Sequence, residues 1–192
     1  MKKLLAVAAA AVAALLPAAF TGCDRAEKPG TYTVGAELSC YIAAMGGIEF
    51  GKPLLQEAQY TLRDGGEMSV TLRFIKSSVT IYSITCYTFI DAAPDAVSEE
   101  GAVANGTIGY YDDAGALVTE GVTYTLSEDT APNPAGTEVH YVDSITFPIE
   151  EKKDTYSLTF YINSNVMGYQ FASDGYKATL TVDWSDIQEV SA

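Results

Sequence analysis

Two methionines stand where sulfur could meet a metal. Asn163-Ser164-Asn165-Val166-Met167-Gly168-Tyr169-Gln170-Phe171 lies between two strand-like runs, so Met167 falls in or beside a loop. Asn and Gly mark a turn there, and Tyr169 and Phe171 set aromatic surface beside the sulfur. Met45 has a matching setting, Ala43-Ala44-Met45-Gly46-Gly47, small residues and glycine after an apolar strand. Two methionines on separate glycine-bounded loops could face each other across one pocket. A thioether is a soft ligand, suited to copper(I) or to haem iron. Spacing and composition alone favour a plainer reading, in which both fill gaps under loops. Met68 shares strand parity with Val70 and reads as core.

Other reactive groups are sparse. His140, the one histidine, opens a strand without a sequence-local acid and nucleophile, which suits a surface or capping role. There is no Gly-x-Ser-x-Gly, phosphate loop or His-Glu-x-x-His. Acidic pairs such as Asp183/Asp186 and Asp112/Asp113 read as solvated turns and lack the spacing of a calcium loop. The expectation is a protein that is not an enzyme, with a carbohydrate-active domain as a lesser alternative. Cys40 and Cys86 each precede a tyrosine in a strand-like run. They serve equally well as a disulfide or as two small buried thiols.

The N-terminus reads as an address. Lys2-Lys3 followed by the apolar run Leu4 to Leu16 is too short to span a bilayer and has the form of an export signal. Phe20-Thr21-Gly22-Cys23 resembles a bacterial lipobox, with Cys23 lipidated as the mature first residue; plain secretion is the alternative. The expected organisation is a lipoprotein signal peptide over 1–22, the lipidated cysteine and a short polar tether over 23–30, and one domain over 31–192. The expected location is the cell surface, with membrane attachment only through the lipid. Formal net charge is -14, and loss of Lys2 and Lys3 takes it to -16. Nucleic-acid binding needs a basic footprint that this chain lacks.

Beyond the tether the pattern is strand after strand. Thr31 to Ala43 alternates, and Gln59 to Arg63 and Met68 to Ile75 flank the hairpin turn Asp64-Gly65-Gly66. Val79 to Ile90 reads as one strand, apolar on both parities, so both of its faces need cover. Thr107 to Tyr111 and Ala116 to Leu126 flank Asp112-Asp113-Ala114-Gly115; Asp129 to Thr137 reads as a loop. His140 to Ile149, Thr155 to Asn163 and Lys177 to Trp184 complete the set, with a possible helical turn over Trp184 to Val190. About eight or nine short strands predict an all-β, antiparallel, immunoglobulin-like sandwich.

Thr31-Tyr32-Thr33-Val34, the Asp64-Gly65-Gly66 hairpin, Met68 to Phe74, Val142 to Ile149 and Tyr176-Lys177-Ala178-Thr179-Leu180 together resemble NEAT-type haem-binding sandwiches. The iron-binding tyrosine of common NEAT domains would fall four before Tyr176, where this chain has Ala172. The chain is more similar to the Shp-type cell-surface haem-binding branch of Gram-positive bacteria, whose iron is held by two methionines. The resemblance places those ligands at Met45 and Met167, the latter in Val166-Met167-Gly168. It implies one b-type haem, a slot near Tyr41, Ile42, Tyr82, Tyr169 and Phe171, and Lys52, Arg73 or Lys76 against the propionates. It also implies exchange with another haem carrier or a transporter-binding lipoprotein.

Overall fold

The computed structural model describes residues 27–42, 48–49, 51–81, 83–91, 108–133, 136–164 and 176–190. They form strands β1 (Gly30–Ser39), β2 (Tyr41–Ile42), β3 (Ile48–Glu49), β4 (Leu55–Leu62), β5 (Met68–Phe74), β6 (Ser77–Ile81) and β7 (Ile84–Asp91). Then follow β8 (Gly109–Tyr111), β9 (Leu117–Val118), β10 (Thr123–Pro132), β11 (Glu138–Ile149), β12 (Thr155–Ser164) and β13 (Tyr176–Glu189). The chain is all-β and every pairing is antiparallel.

Alternation dictates which face each strand buries. In β5, Val70, Leu72 and Phe74 are buried while Arg73 is exposed, because successive side chains point to opposite faces. In β13, Ala178, Leu180 and Val182 are buried between exposed neighbours. The main sheet runs β10-β11-β5-β4-β1-β13-β12-β7-β6, with β8 beside β12 and β9 beside β8; β2 and β3 pair separately. The sheet folds over at β1, whose first half pairs with β4 while its register with β13 shifts between Val34 and Gly35. Such a bulge sharpens the local bend of a strand.

The two leaves then meet face to face. Phe74 of β5 lies against Phe160 of β12, ring centroids 6.2 Å apart, and Phe147 of β11 against Tyr156 of β12 at 5.7 Å. These rings anchor one contiguous apolar core. A smaller cluster of Phe89, Ala131 and Tyr141 sits where β7 touches the far part of β10 and β11. Strand β7 is thus covered on both faces, with Ile90 in the main core and Phe89 in the small one.

Several expectations need correcting. The described residues contain thirteen strands rather than eight or nine, because breaks at Cys40, Ser83 and Gly121 divide three of the runs and the two-residue β3 is added. Val79 to Ile90 is a hairpin, not one strand: Ile81 pairs with Ile84, and Ser83 turns the chain with φ +68°. Ala116 to Leu126 is broken at Gly121 (φ +73°), where the Val122 amide donates to the Thr119 carbonyl. Strand β10 continues to Pro132, which sits on the outermost strand, where a missing N–H costs little. Trp184 to Glu189 is the end of β13, paired with β1, not a helical turn. The Asp64-Gly65-Gly66 and Asp112-Asp113-Ala114-Gly115 turns form as expected, with Gly65, Gly66 and Gly115 at positive φ.

Candidate functional site

The end of the sheet away from Gly30 gathers the strand ends that flank 43–47 and 165–175. Strand β1 carries the chain from Gly30 to Ser39, and Ser39 pairs with Thr179 near the start of β13. Beyond that level β12 continues past its partner Tyr176 and ends at Ser164. The β6–β7 turn at Ser83 lies further in the same direction, since Ser164 pairs with Thr88. Tyr41 and Ile42 form β2, paired with Glu49 and Ile48 of β3, so the chain is held on both sides of 43–47. Met45, Tyr82, Met167, Tyr169 and Phe171 themselves lie outside the described residues, as does Cys23.

The flanks of the two methionine segments touch. The Cys40 thiol donates to the Lys177 carbonyl at 3.7 Å, joining the chain between β1 and β2 to the start of β13. Cys40 is thereby a thiol rather than half of a bridge to Cys86, and both residues are buried. Burial, with the Glu49 carboxylate nearby, pushes the Cys40 thiol up to about 12.

A single carboxylate clasps a neck formed by Ser39, Cys40, Gly51 and Lys52. Glu49 Oε1 accepts from the backbone amides of Cys40 (2.8 Å), Gly51 (2.6 Å) and Lys52 (3.3 Å). Its Oε2 accepts from the Ser39 hydroxyl at 2.9 Å. Burial alone would raise the carboxyl, but four donors outweigh it and hold Glu49 below the ordinary carboxylate range. Gly51 completes the neck: a Cβ there would come within 2.8 Å of the Leu38 carbonyl oxygen, so only glycine fits. Sequence reasoning missed Glu49. The available signal was a carboxylate between Ile48 and Phe50, followed at once by glycine.

The basic residues expected near the propionates are placed unevenly. Lys52 stands by the Glu49 clasp, exposed, with Nζ 3.4 Å from Glu37. Arg73 pairs with Asp143 at 3.7 Å, while Lys76 donates to the Thr130 carbonyl at 2.8 Å and lies over the Tyr141 ring.

Buried polar groups also mark the β7–β12 seam. Asn163 Nδ2 donates to Asp91 Oδ2 at 3.0 Å, with both residues buried. Tyr161 pairs with Asp91 across the strands, and burial together with that carboxylate raises its hydroxyl. The sequence marked Asn163 only as the end of a strand beside a turn and did not single out Asp91 or Tyr161.

Elsewhere, a cleft of about 540 Å³ opens between the 112–115 and 150–154 turns, over Tyr110, Pro148 and Tyr156. Four of its polar residues are engaged with one another. Lys153 binds Asp113 at 2.6 Å and Glu151 at 3.6 Å; the Tyr156 hydroxyl donates to the Glu151 carbonyl and accepts from the Lys153 amide. His140 is exposed, with Nδ1 donating to the Ser127 carbonyl at 2.9 Å. Among the described residues no group of three His, Cys, Asp or Glu could hold a metal ion. No protein-family model matches the chain, and no relative is found among curated proteins.

Proposed function

We propose that this is an exported, lipid-anchored β-sandwich that binds one b-type haem between Met45 and Met167 and passes it toward an uptake transporter. The observation supporting this reading is the Cys40–Lys177 contact, which makes neighbours of two segments more than a hundred residues apart in sequence. Neutral thioethers add no charge to the iron, so they favour the ferrous state and a raised reduction potential. Moderate grip on ferric iron suits a carrier that must release its cargo. The Glu49 clasp supplies a fixed neck beneath the Met45 loop.

Hemin titration tests the proposal. The expected result is a saturable, sharp Soret band at one equivalent, displaced in both Met45→Ala and Met167→Ala with faster haem loss. An unchanged band in both variants removes the axial assignment. A second reading, a non-catalytic adhesive sandwich, is favoured by Tyr124 and Leu126, which stand about half exposed on the outermost strand β10. Failure to bind hemin, with retained attachment to a host or cell surface, would select it.

A further inference from the structure

We propose that the tether is seated on the end of the sandwich opposite the methionine segments, so that the anchored protein stands with its candidate site turned away from the membrane. This rests on the lipid-anchor and site readings above.

The seat is an aromatic box around one lysine. Lys152, in the β11–β12 turn, holds Nζ 4.6 Å from the Tyr60 ring centre and 5.1 Å from that of Trp184, and it forms an ion pair with Glu27. The Lys152 and Glu27 side chains are only 27% and 32% exposed, so water screens this pair less than a free surface pair. Tyr60 meets Trp184 edge to face at 5.5 Å and stacks on Tyr32 at 5.9 Å. The Tyr32 hydroxyl donates to the Lys28 carbonyl at 2.6 Å, and Trp184 Nε1 donates to the Lys153 carbonyl at 2.8 Å. Strands β1, β4 and β13 and the β11–β12 turn therefore converge on Glu27 and Lys28, which the sequence assigned to a free tether.

Lengths then set which end is held near the bilayer. From Cys23 to Glu27 the chain reaches at most roughly 14 Å, at about 3.5 Å per residue. From Gly30 to Ser39, β1 rises roughly 30 Å at about 3.3 Å per residue, away from the seat. With the seat end held close to the bilayer, the far end reaches it only if the whole body lies on its side, which a net charge of -16 opposes on an anionic membrane. In that upright stance, cargo exchange at the far end suits a carrier that is soluble or projects into the aqueous phase.

Trp184 is the only tryptophan and sits in the seat, so it reports on both parts of the idea. With the full lipidated chain on vesicles containing a dansyl headgroup lipid, energy transfer from Trp184 should be strong. It should be much weaker from a Trp184→Phe, Ile75→Trp double variant, because Ile75 follows β5 at the far end. In solution, Glu27→Ala and Lys152→Met (which keeps the aliphatic stem) should red-shift Trp184 emission and increase its quenching by acrylamide. Lys52→Ala should leave both unchanged. Equal quenching in the parent and both seat variants overturns the proposal, as does equal energy transfer from the two tryptophan positions. A chain that does not join vesicles also overturns the mount; persistence of the quenching contrast would trace that failure to the anchor rather than the seat. Hemin titration reads the haem site independently of either.

Discussion

The Cys40 amide donates to Glu49 Oε1 at 2.8 Å, closing the neck around the paired strands β2 and β3. One carboxylate there takes four donors, and a charge-assisted hydrogen bond is stronger than a neutral one. Glu49→Gln should destabilise the protein at neutral pH by roughly 1 kcal/mol or more, measured by urea unfolding. The sign follows from the depressed carboxyl: its stabilisation is present above the unfolded value near 4.5 and is lost as pH falls through the folded value. The gap between parent and variant should therefore close on acidification. A constant gap from pH 7 to pH 3 would show that Glu49 acts by shape and not by charge.

Alkaline pH should loosen both ends of the sandwich, through Cys40 at the neck and Tyr60 at the other end. Burial pushes Cys40 from 9.0 to about 12, and burial with the Glu27 carboxylate pushes Tyr60 from 10.0 to about 12. A raised folded value means that stability is intact below the unfolded value and falls as pH rises toward the folded one. Thermal unfolding temperature should decline between about pH 9 and pH 12. In native protein at pH 8, Cys40 should resist iodoacetamide and react once urea unfolds the chain. Rapid alkylation of Cys40 in the folded state would contradict its burial.

Phe160 joins the two leaves through Phe74, and both are essentially inaccessible to solvent. Phe160→Ala should cost about 3–5 kcal/mol, from lost burial plus the cavity left behind. That is a large share of the total stability of a domain this size. Equilibrium denaturation would check it; a loss below 1 kcal/mol would mean that the leaves do not depend on this contact.

Met68 provides the control for the haem reading. It is partly buried against the main core at the opposite end from the methionine segments. Met68→Ala should cost about 1–2 kcal/mol, below the range for fully buried methionine. Its Soret band should match the parent's while those of Met45→Ala and Met167→Ala move. A band that moves only in Met68→Ala would place the iron elsewhere.

Alternation made much of the fold legible. Val70, Leu72 and Phe74, and likewise Ala178, Leu180 and Val182, sit in the core as their parity requires. Turns carrying Asp and Gly were equally plain. The turn at Ser83 was not, because nothing in Tyr82-Ser83 announces a residue with positive φ. The tail of β13 was obscure for another reason. Asp183, Ser185 and Gln188 are exposed, so hydrogen bonding to β1, and no apolar stripe, keeps the strand going. At the candidate site the sequence pointed to soft ligands and loops. It gave no sign that Glu49 and Cys40 tie those loops to the sheet, since such contacts depend on partners distant in sequence.

The Asn163–Asp91 hydrogen bond bears on how β7 and β12 find their alignment. Asp91 faces the same side as Tyr161 and Asn163, while Ile90 and Ile162 face the main core. Sliding β7 by one position would drive a carboxylate into that hydrocarbon interior and expel an isoleucine from it. The pair works as a registration pin, making misaligned zippering of the two strands costly before the rest of the sheet has closed.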